Sequence, residues 1–106
     1  MHQNRVVHRD IKAENIVFTN KTDLKVMLID FGTSQKFLPG TYMTQPFGTP
    51  NYMAPELIKG CYDEKCDLWS VGILMYVLLV GQMPFKGSND IDLLKKIANF
   101  ENMTYN

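Results

Sequence analysis

Asp10, Lys12 and Asn15 stand in one short stretch, His8-Arg9-Asp10-Ile11-Lys12-Ala13-Glu14-Asn15, and a further carboxylate heads Asp30-Phe31-Gly32. A loop carboxylate such as Asp10 can face a hydroxyl and take, or at least orient, its proton. Lys12, two residues on, faces the same way if the loop is extended, and a cation there can hold an anionic group as charge develops. Asn15 and Asp30 offer hard oxygen atoms of the kind magnesium accepts. Taken singly, each is ordinary: a lone Asp is usually a solvated turn residue and a lone Asn a cap or Asx-turn. Their joint order and spacing carry the reading.

These residues need elements to position them. Asn15-Ile16-Val17-Phe18 and Leu24 to Ile29 are short apolar runs separated by Thr19-Asn20-Lys21-Thr22-Asp23, a turn by composition. They read as a small β-hairpin. Residues 1–9 look like the end of a helix entering a loop. Residues 30–56, punctuated by Gly32, Gly40, Gly48, Pro39, Pro46 and Pro50, show no helical or strand period and read as a long structured loop, a kind of segment that is usually functional. Residues 57–65 read as a connection. Val71 to Val80, preceded by Asp67-Leu68-Trp69-Ser70 and closed by Gly81 and Pro84, reads as a helix over about 67–80 that is apolar all round and buried on every side. Ser88 is the expected N-cap of a following helix over about 89–98, with Asp90 and Asp92 in its first turn, Lys95 and Lys96 near its end, and an apolar face of Ile91, Leu94, Ile97 and Ala98.

Composition bounds the function. The chain has 106 residues, 45% hydrophobic and 21% charged, which is ordinary for a folded globular protein. Eleven basic residues balance eleven acidic ones, so a generally basic nucleic-acid binder and a polybasic membrane patch are both disfavoured. The longest apolar run is about half of the ~18 residues a membrane span requires. Cys61 and Cys66 lie five apart and far in sequence from His2 and His8, which fits neither a zinc site nor a disulfide framework. Reduced structural thiols in a cytoplasmic protein are expected.

Residues 8–15 match the pattern H-R-D-x-x-x-x-N, Asp30-Phe31-Gly32 follows fifteen residues past Asn15, Ala54-Pro55-Glu56 comes later, and Asp67-Leu68-Trp69-Ser70-Val71-Gly72 resembles D-x-W-S-x-G. In this order and spacing the blocks resemble eukaryotic-type protein kinases, from residue 1 to about residue 98. The fold class so implied is α+β, mainly helical: part of a kinase C-terminal lobe with a small β-hairpin, an activation segment over 30–56 and a central helix.

The resemblance implies a serine/threonine kinase that moves the ATP γ-phosphoryl group to a protein or peptide hydroxyl. Asp10 is then the catalytic carboxylate and Lys12 the γ-phosphate cation. Thr49 bridges the two through its hydroxyl. Asn15 and Asp30 hold Mg²⁺ on the ATP phosphates, and Val17 lies under the adenine. Gly32 gives the backbone freedom to turn after the metal ligand. His8 is a packing residue, with Phe31 stacked near it in an internal apolar column, and Asp67 accepts backbone N–H bonds from the catalytic loop. Arg9 marks the class whose activation loop is ordered by pairing a phosphate with that arginine. Lys12 and Gly48-Thr49-Pro50 resemble the serine/threonine branch, with residues 48–56 forming the pocket for the substrate residue after the acceptor. Within that branch, residues 1–8 and 62–70 are most similar to calcium- or calmodulin-dependent kinases, which implies calcium-sensor regulation from regions outside these residues.

The chain departs from the family pattern in places. Ala13 stands where proline is common. Gln45 falls where many kinases carry a phosphorylated threonine, leaving Thr41 and Thr44 as candidate phosphosites, with activation without phosphate equally open. Glu56 should pair with a buried arginine, yet the arginines here are Arg5 and Arg9. No G-x-G-x-x-G loop or V-A-I-K lysine occurs, so the N-terminal lobe and the last helices are expected to lie outside these residues, and the chain alone to be inactive and to expose apolar surface. A non-catalytic relic, or a docking module working through residues 48–60 and the helix near 88–98, is the alternative.

Overall fold

A computed structural model of the chain describes residues 2–19 and 25–99. The expected turn at 19–23, apart from Thr19, and the stretch 100–106 lie outside the described residues.

The hairpin expected around residues 15–29 is present. Strand β2 (Ile16–Phe18) pairs antiparallel with β3 (Val26–Leu28), placing Val17 opposite Met27. Ile29 N–H donates to Asn15 O at 2.8 Å, closing the open end of the ladder, so Asn15 and Asp30 flank the same end of the hairpin. A second pair was not expected. Val6–Val7 (β1) pairs antiparallel with Gln35–Lys36 (β4), inside the segment that reads as a loop. The expected helix end at residues 1–9 is a single 3₁₀ turn, His2–Asn4, before β1.

Segment 30–56 carries more structure than its composition suggests. Beyond β4, Met43 and Tyr62 form an isolated antiparallel bridge, Pro50–Tyr52 is a 3₁₀ turn, and helix α1 (Pro55–Ile58) begins within it. Prolines open both helical turns, where their missing N–H is not needed.

Helix α2 spans Cys66–Val80. Its entry is shaped by Asp63, whose Oδ1 accepts Lys65 N–H at 3.0 Å. Its exit is Gly81 at φ 82°, a left-handed residue whose N–H caps Val77 O, which is the cheap use of glycine. The expectation of burial on every side is corrected. Cys66, Asp67, Ser70, Ile73 and Leu74 are buried, but Leu68, Met75, Leu78 and Leu79 are exposed, because the described elements cover one side of the helix.

Helix α3 (Asp90–Ala98) corrects two details. Its N-cap is Asn89, not Ser88: Asn89 Oδ1 accepts Asp92 N–H at 2.8 Å, while Asp92 Oδ2 reaches back to Ser88 N–H at 3.0 Å. Its buried face is Leu93 and Ile97, whereas Ile91 is 67% exposed, since the packing against α1 and the Pro50–Tyr52 turn comes from that side.

The core has two clusters. One joins Val7, Phe37, Met43, Ala54, Leu57, Tyr62 and Cys66, tying β1 to the segment before α1 and to the start of α2. The other joins Tyr52 to Ile73 and Leu74, with Ile16 of the hairpin against it. Trp69 touches both. The loop between β1 and β2 lies against α2 through this packing.

Candidate active site

Asp67 is the anchor of the loop that holds Asp10. It is 2% exposed, in the first turn of α2, where the helix dipole favours a carboxylate. Its Oδ2 accepts His8 N–H at 2.7 Å and its Oδ1 accepts Arg9 N–H at 2.8 Å. His2 Nε2 adds a contact to Oδ2 at 3.0 Å. A buried carboxylate with this many donors is satisfied, and it fixes the backbone two residues before Asp10.

His8 is fully buried. Its Nδ1 accepts Asp10 N–H at 3.1 Å and its Nε2 contacts Ile29 O at 3.0 Å, so Nε2 carries the proton and the ring bridges Asp10 to the residue before Asp30. Phe31 meets this ring edge-on at 4.9 Å, but is 47% exposed rather than enclosed.

Asp10, Lys12 and Thr49 come together from two segments. Lys12 Nζ donates to Thr49 Oγ1 at 2.9 Å, Thr49 Oγ1–H donates to Asp10 Oδ1 at 2.8 Å, and Lys12 Nζ lies 3.7 Å from Asp10 Oδ2. With Oδ1 engaged, Oδ2 is the carboxylate oxygen left for a reacting hydroxyl. Asn15 Nδ2 donates to Asp10 O at 2.8 Å, so the amide nitrogen is taken and Oδ1 is its atom suited to a cation. Asp30 is exposed, with Gly32 N–H 3.3 Å from its Oδ1. Hard oxygens from one amide and one exposed carboxylate fit a magnesium ion that takes its remaining ligands from phosphates and water.

The turn after Asp30 is made differently from expectation. Gly32 is not the left-handed residue; Asp30 is, at φ 60°. Arg9 is another, at φ 72°. Non-glycine residues held there cost free energy, and they persist where the surroundings over-determine them. At Arg9 the surroundings are the Asp67 carboxylate, which holds the successive N–H groups of His8 and Arg9, and a buried side chain whose Nε donates to Thr33 O.

Segment 41–49 is docked on the same loop. Gly48 has φ 128°, and a Cβ there would sit 2.9 Å from Arg9 O, so only glycine permits this approach. Arg9 Nε donates to Thr33 O at 2.6 Å, Arg9 Nη1 to Tyr62 Oη at 3.3 Å, and the guanidinium lies 4.4 Å from the Phe47 ring centroid. Thr41 and Thr44 are exposed, and the Thr41 hydroxyl donates to Leu38 O. Val17 is 37% exposed on the hairpin. Glu56 is half-buried in the first turn of α1, and among the described residues its carboxylate forms no ion pair. His2, Thr33, Phe47 and Tyr62 belong to the site's support and were missed, because nothing in their local sequence marks contacts made so far along the chain.

Burial and the neighbouring carboxylates Asp67 and Glu56 push the Cys66 thiol up to about 12. This makes it an inert core residue. No helix among the described residues is long and apolar enough to cross a membrane.

The head of α2 thus clamps a short loop that carries Asp10, Lys12 and Asn15, and the hairpin sets Asn15 and Asp30 at one end. The protein kinase domain family matches residues 1–105, and the chain belongs to that family. It is 50% identical over 99 residues to calcium-dependent protein kinase 4 of Plasmodium berghei (strain Anka) and, equally, of Plasmodium falciparum (isolate 3D7), covering 92% of this chain and 19% of each relative. It is 44% identical over 101 residues to calcium-dependent protein kinase 5 of Plasmodium berghei, covering 94% of this chain and 18% of that relative. The chain thus spans about a fifth of the length of these curated relatives.

Proposed function

We propose that these residues form part of a serine/threonine protein kinase, with Asp10, Lys12 and Thr49 at the point of phosphoryl transfer. The observation that carries this reading is the Thr49 hydroxyl, which bonds both Asp10 and Lys12 and so locks segment 41–49 to the catalytic loop. Asp10 Oδ2 orients the incoming serine or threonine hydroxyl and takes up its proton. Lys12 steadies the negative charge that develops on the transferred group. Asn15 Oδ1 and the Asp30 carboxylate would hold magnesium, which supplies neutralisation of the ATP phosphates. His8 and Asp67 keep the loop in register for both tasks.

The serine/threonine preference rests on Lys12 and on Thr49-Pro50, and is in keeping with the names of the relatives. Those names also support a calcium-sensor input from outside residues 1–106, and ATP as donor goes with a cytoplasmic setting. The chain alone lacks a glycine-rich loop to cover the phosphates, so its own transfer should be slight.

The test is transfer from γ-labelled ATP with Mg²⁺ to one peptide carrying Ser, Thr or Tyr at the acceptor. It is run with the chain and with the longer protein that carries it. Label on Ser and Thr from the longer protein, abolished by Asp10→Asn, is expected. Label on Tyr alone would overturn the acceptor class. Vigorous transfer by residues 1–106 would overturn the dependence on further chain, and no transfer in either form would favour the docking-module alternative.

A further inference from the structure

Arg9 is 6% exposed, and its guanidinium makes no ion pair among the described residues. A buried cation is costly unless other groups solvate it. Three neutral groups do so here: the Thr33 carbonyl at Nε, the Tyr62 hydroxyl at Nη1, and the face of Phe47 at 4.4 Å. Two of them are tied to segment 41–49. Phe47 belongs to it, and the Tyr62 hydroxyl donates onward to Gln45 O. The Met43–Tyr62 bridge holds the same two stretches together through their backbones, with Met43 N–H to Tyr62 O at 2.7 Å. Phe47 immediately precedes Gly48, whose close approach to Arg9 O leads into Thr49.

We propose that Phe47 and Tyr62 are positioning residues that hold the activation segment on the catalytic loop by engaging the Arg9 guanidinium, so that Thr49 meets Asp10 and Lys12 with no phosphate on the segment. This rests on the reading of Asp10, Lys12 and Thr49 as the transfer site. It gives Gln45, which stands where a phosphothreonine is common, a structural part through its carbonyl alone. The Phe47 ring supplies the electrostatic complement that an anion would otherwise provide, by cation–π attraction.

The chain contains two arginines, so the Nε–H spectrum of the 106-residue chain carries two signals, with the exposed Arg5 as internal reference. Hydrogen exchange at Arg9 Nε–H is measured in the wild type, Phe47→Leu and Phe47→Tyr, with slow amides of α3 reporting that the fold is intact. Phe47→Leu keeps apolar bulk and removes the π face, and should speed Arg9 exchange roughly threefold. Phe47→Tyr should keep the wild-type rate. A Leu variant as slow as wild type, or a Tyr variant as fast as Leu, would overturn the proposal.

If Phe47→Leu loses the α3 protection, Tyr62→Phe is read instead, since it removes only a hydroxyl. Faster exchange supports the proposal and unchanged exchange overturns it. Thr44→Glu should leave the Arg9 signal as it is; a slowed signal would mean the guanidinium still awaits an anion. The readout is conformational, so failure of phosphoryl transfer would sink the functional reading without touching this result.

Discussion

Asp67 Oδ2 lies 2.7 Å from the backbone nitrogen of His8, a residue fifty-nine positions earlier. The first turn of α2 thereby holds the loop that presents Asp10. Removing the carboxylate leaves two buried N–H groups, of His8 and Arg9, without their acceptor. Asp67→Ala should lower stability by about 3 kcal/mol, the cost of stranding buried donors that bonded a charged group. The shift in urea midpoint at unchanged slope measures it, and a loss below about 1 kcal/mol would mean that the loop does not depend on this anchor.

Thr49 holds Asp10 and Lys12 through one hydroxyl. With these residues set in a kinase that also carries a glycine-rich loop, Thr49→Ala should lower kcat roughly ten- to a hundredfold by loosening both groups. Thr49→Ser, which keeps the hydroxyl, should retain most of it. Steady-state kinetics with a serine peptide separates the two, and equal loss in both variants would assign the effect to packing.

Gly48 is the contact point between the segment and the loop, with φ 128° and Arg9 O at 2.9 Å from any Cβ. Gly48→Ala combines a strained backbone with a clash against backbone, and should cost about 2 kcal/mol. Gly40→Ala meets nothing within 4 Å and carries only the φ penalty, so it should cost less. Comparing the two by chemical denaturation isolates the contact.

Cys61 is exposed and Cys66 buried. Below pH 9 a thiol reagent should modify Cys61 quickly and Cys66 only on unfolding. The Cys66 thiol is raised from 9.0 to about 12, chiefly by burial. The unfolded chain therefore releases that proton first, and the stability it confers is fully present below pH 9.0 and lost as pH rises towards 12. Cys66→Ser should flatten this alkaline loss, and an unaltered loss would place its origin elsewhere.

Asp92 is held below its ordinary 3.8, first by the Ser88 N–H and then by Lys96. A depressed carboxylate contributes stability above its unfolded value, and that contribution goes as pH falls through the lower folded one. The helical difference between wild type and Asp92→Asn, followed by circular dichroism, should therefore close as pH drops below 3.8. A difference that persists in acid would mean the Asp92 side chain acts through its shape and not its charge.

Much of this was legible along the chain. The hairpin followed from two apolar runs around a polar turn, α2 from its uninterrupted apolar length and Gly81, and the site from motifs whose members sit a few residues apart. Within α3 the signal was present but displaced by one residue at the cap, because Ser88 and Asn89 are both competent and packing against α1 decided which one starts the helix.

The sequence by itself singled out Asp10, Lys12, Asn15 and Asp30 as candidates, through motifs of fixed order and spacing, and marked the main helices and the hairpin, since those depend on residue type and on neighbours within a turn or a ladder. Tertiary structure alone decided the β1–β4 pairing, whose two-residue strands are too short to show a period. It also decided that Asp30 and not Gly32 takes the left-handed turn, and that His2, Phe47 and Tyr62 serve Asp67 and Arg9. These are contacts between distant residues, made only once the two core clusters bring β1, the segment before α1 and the head of α2 together.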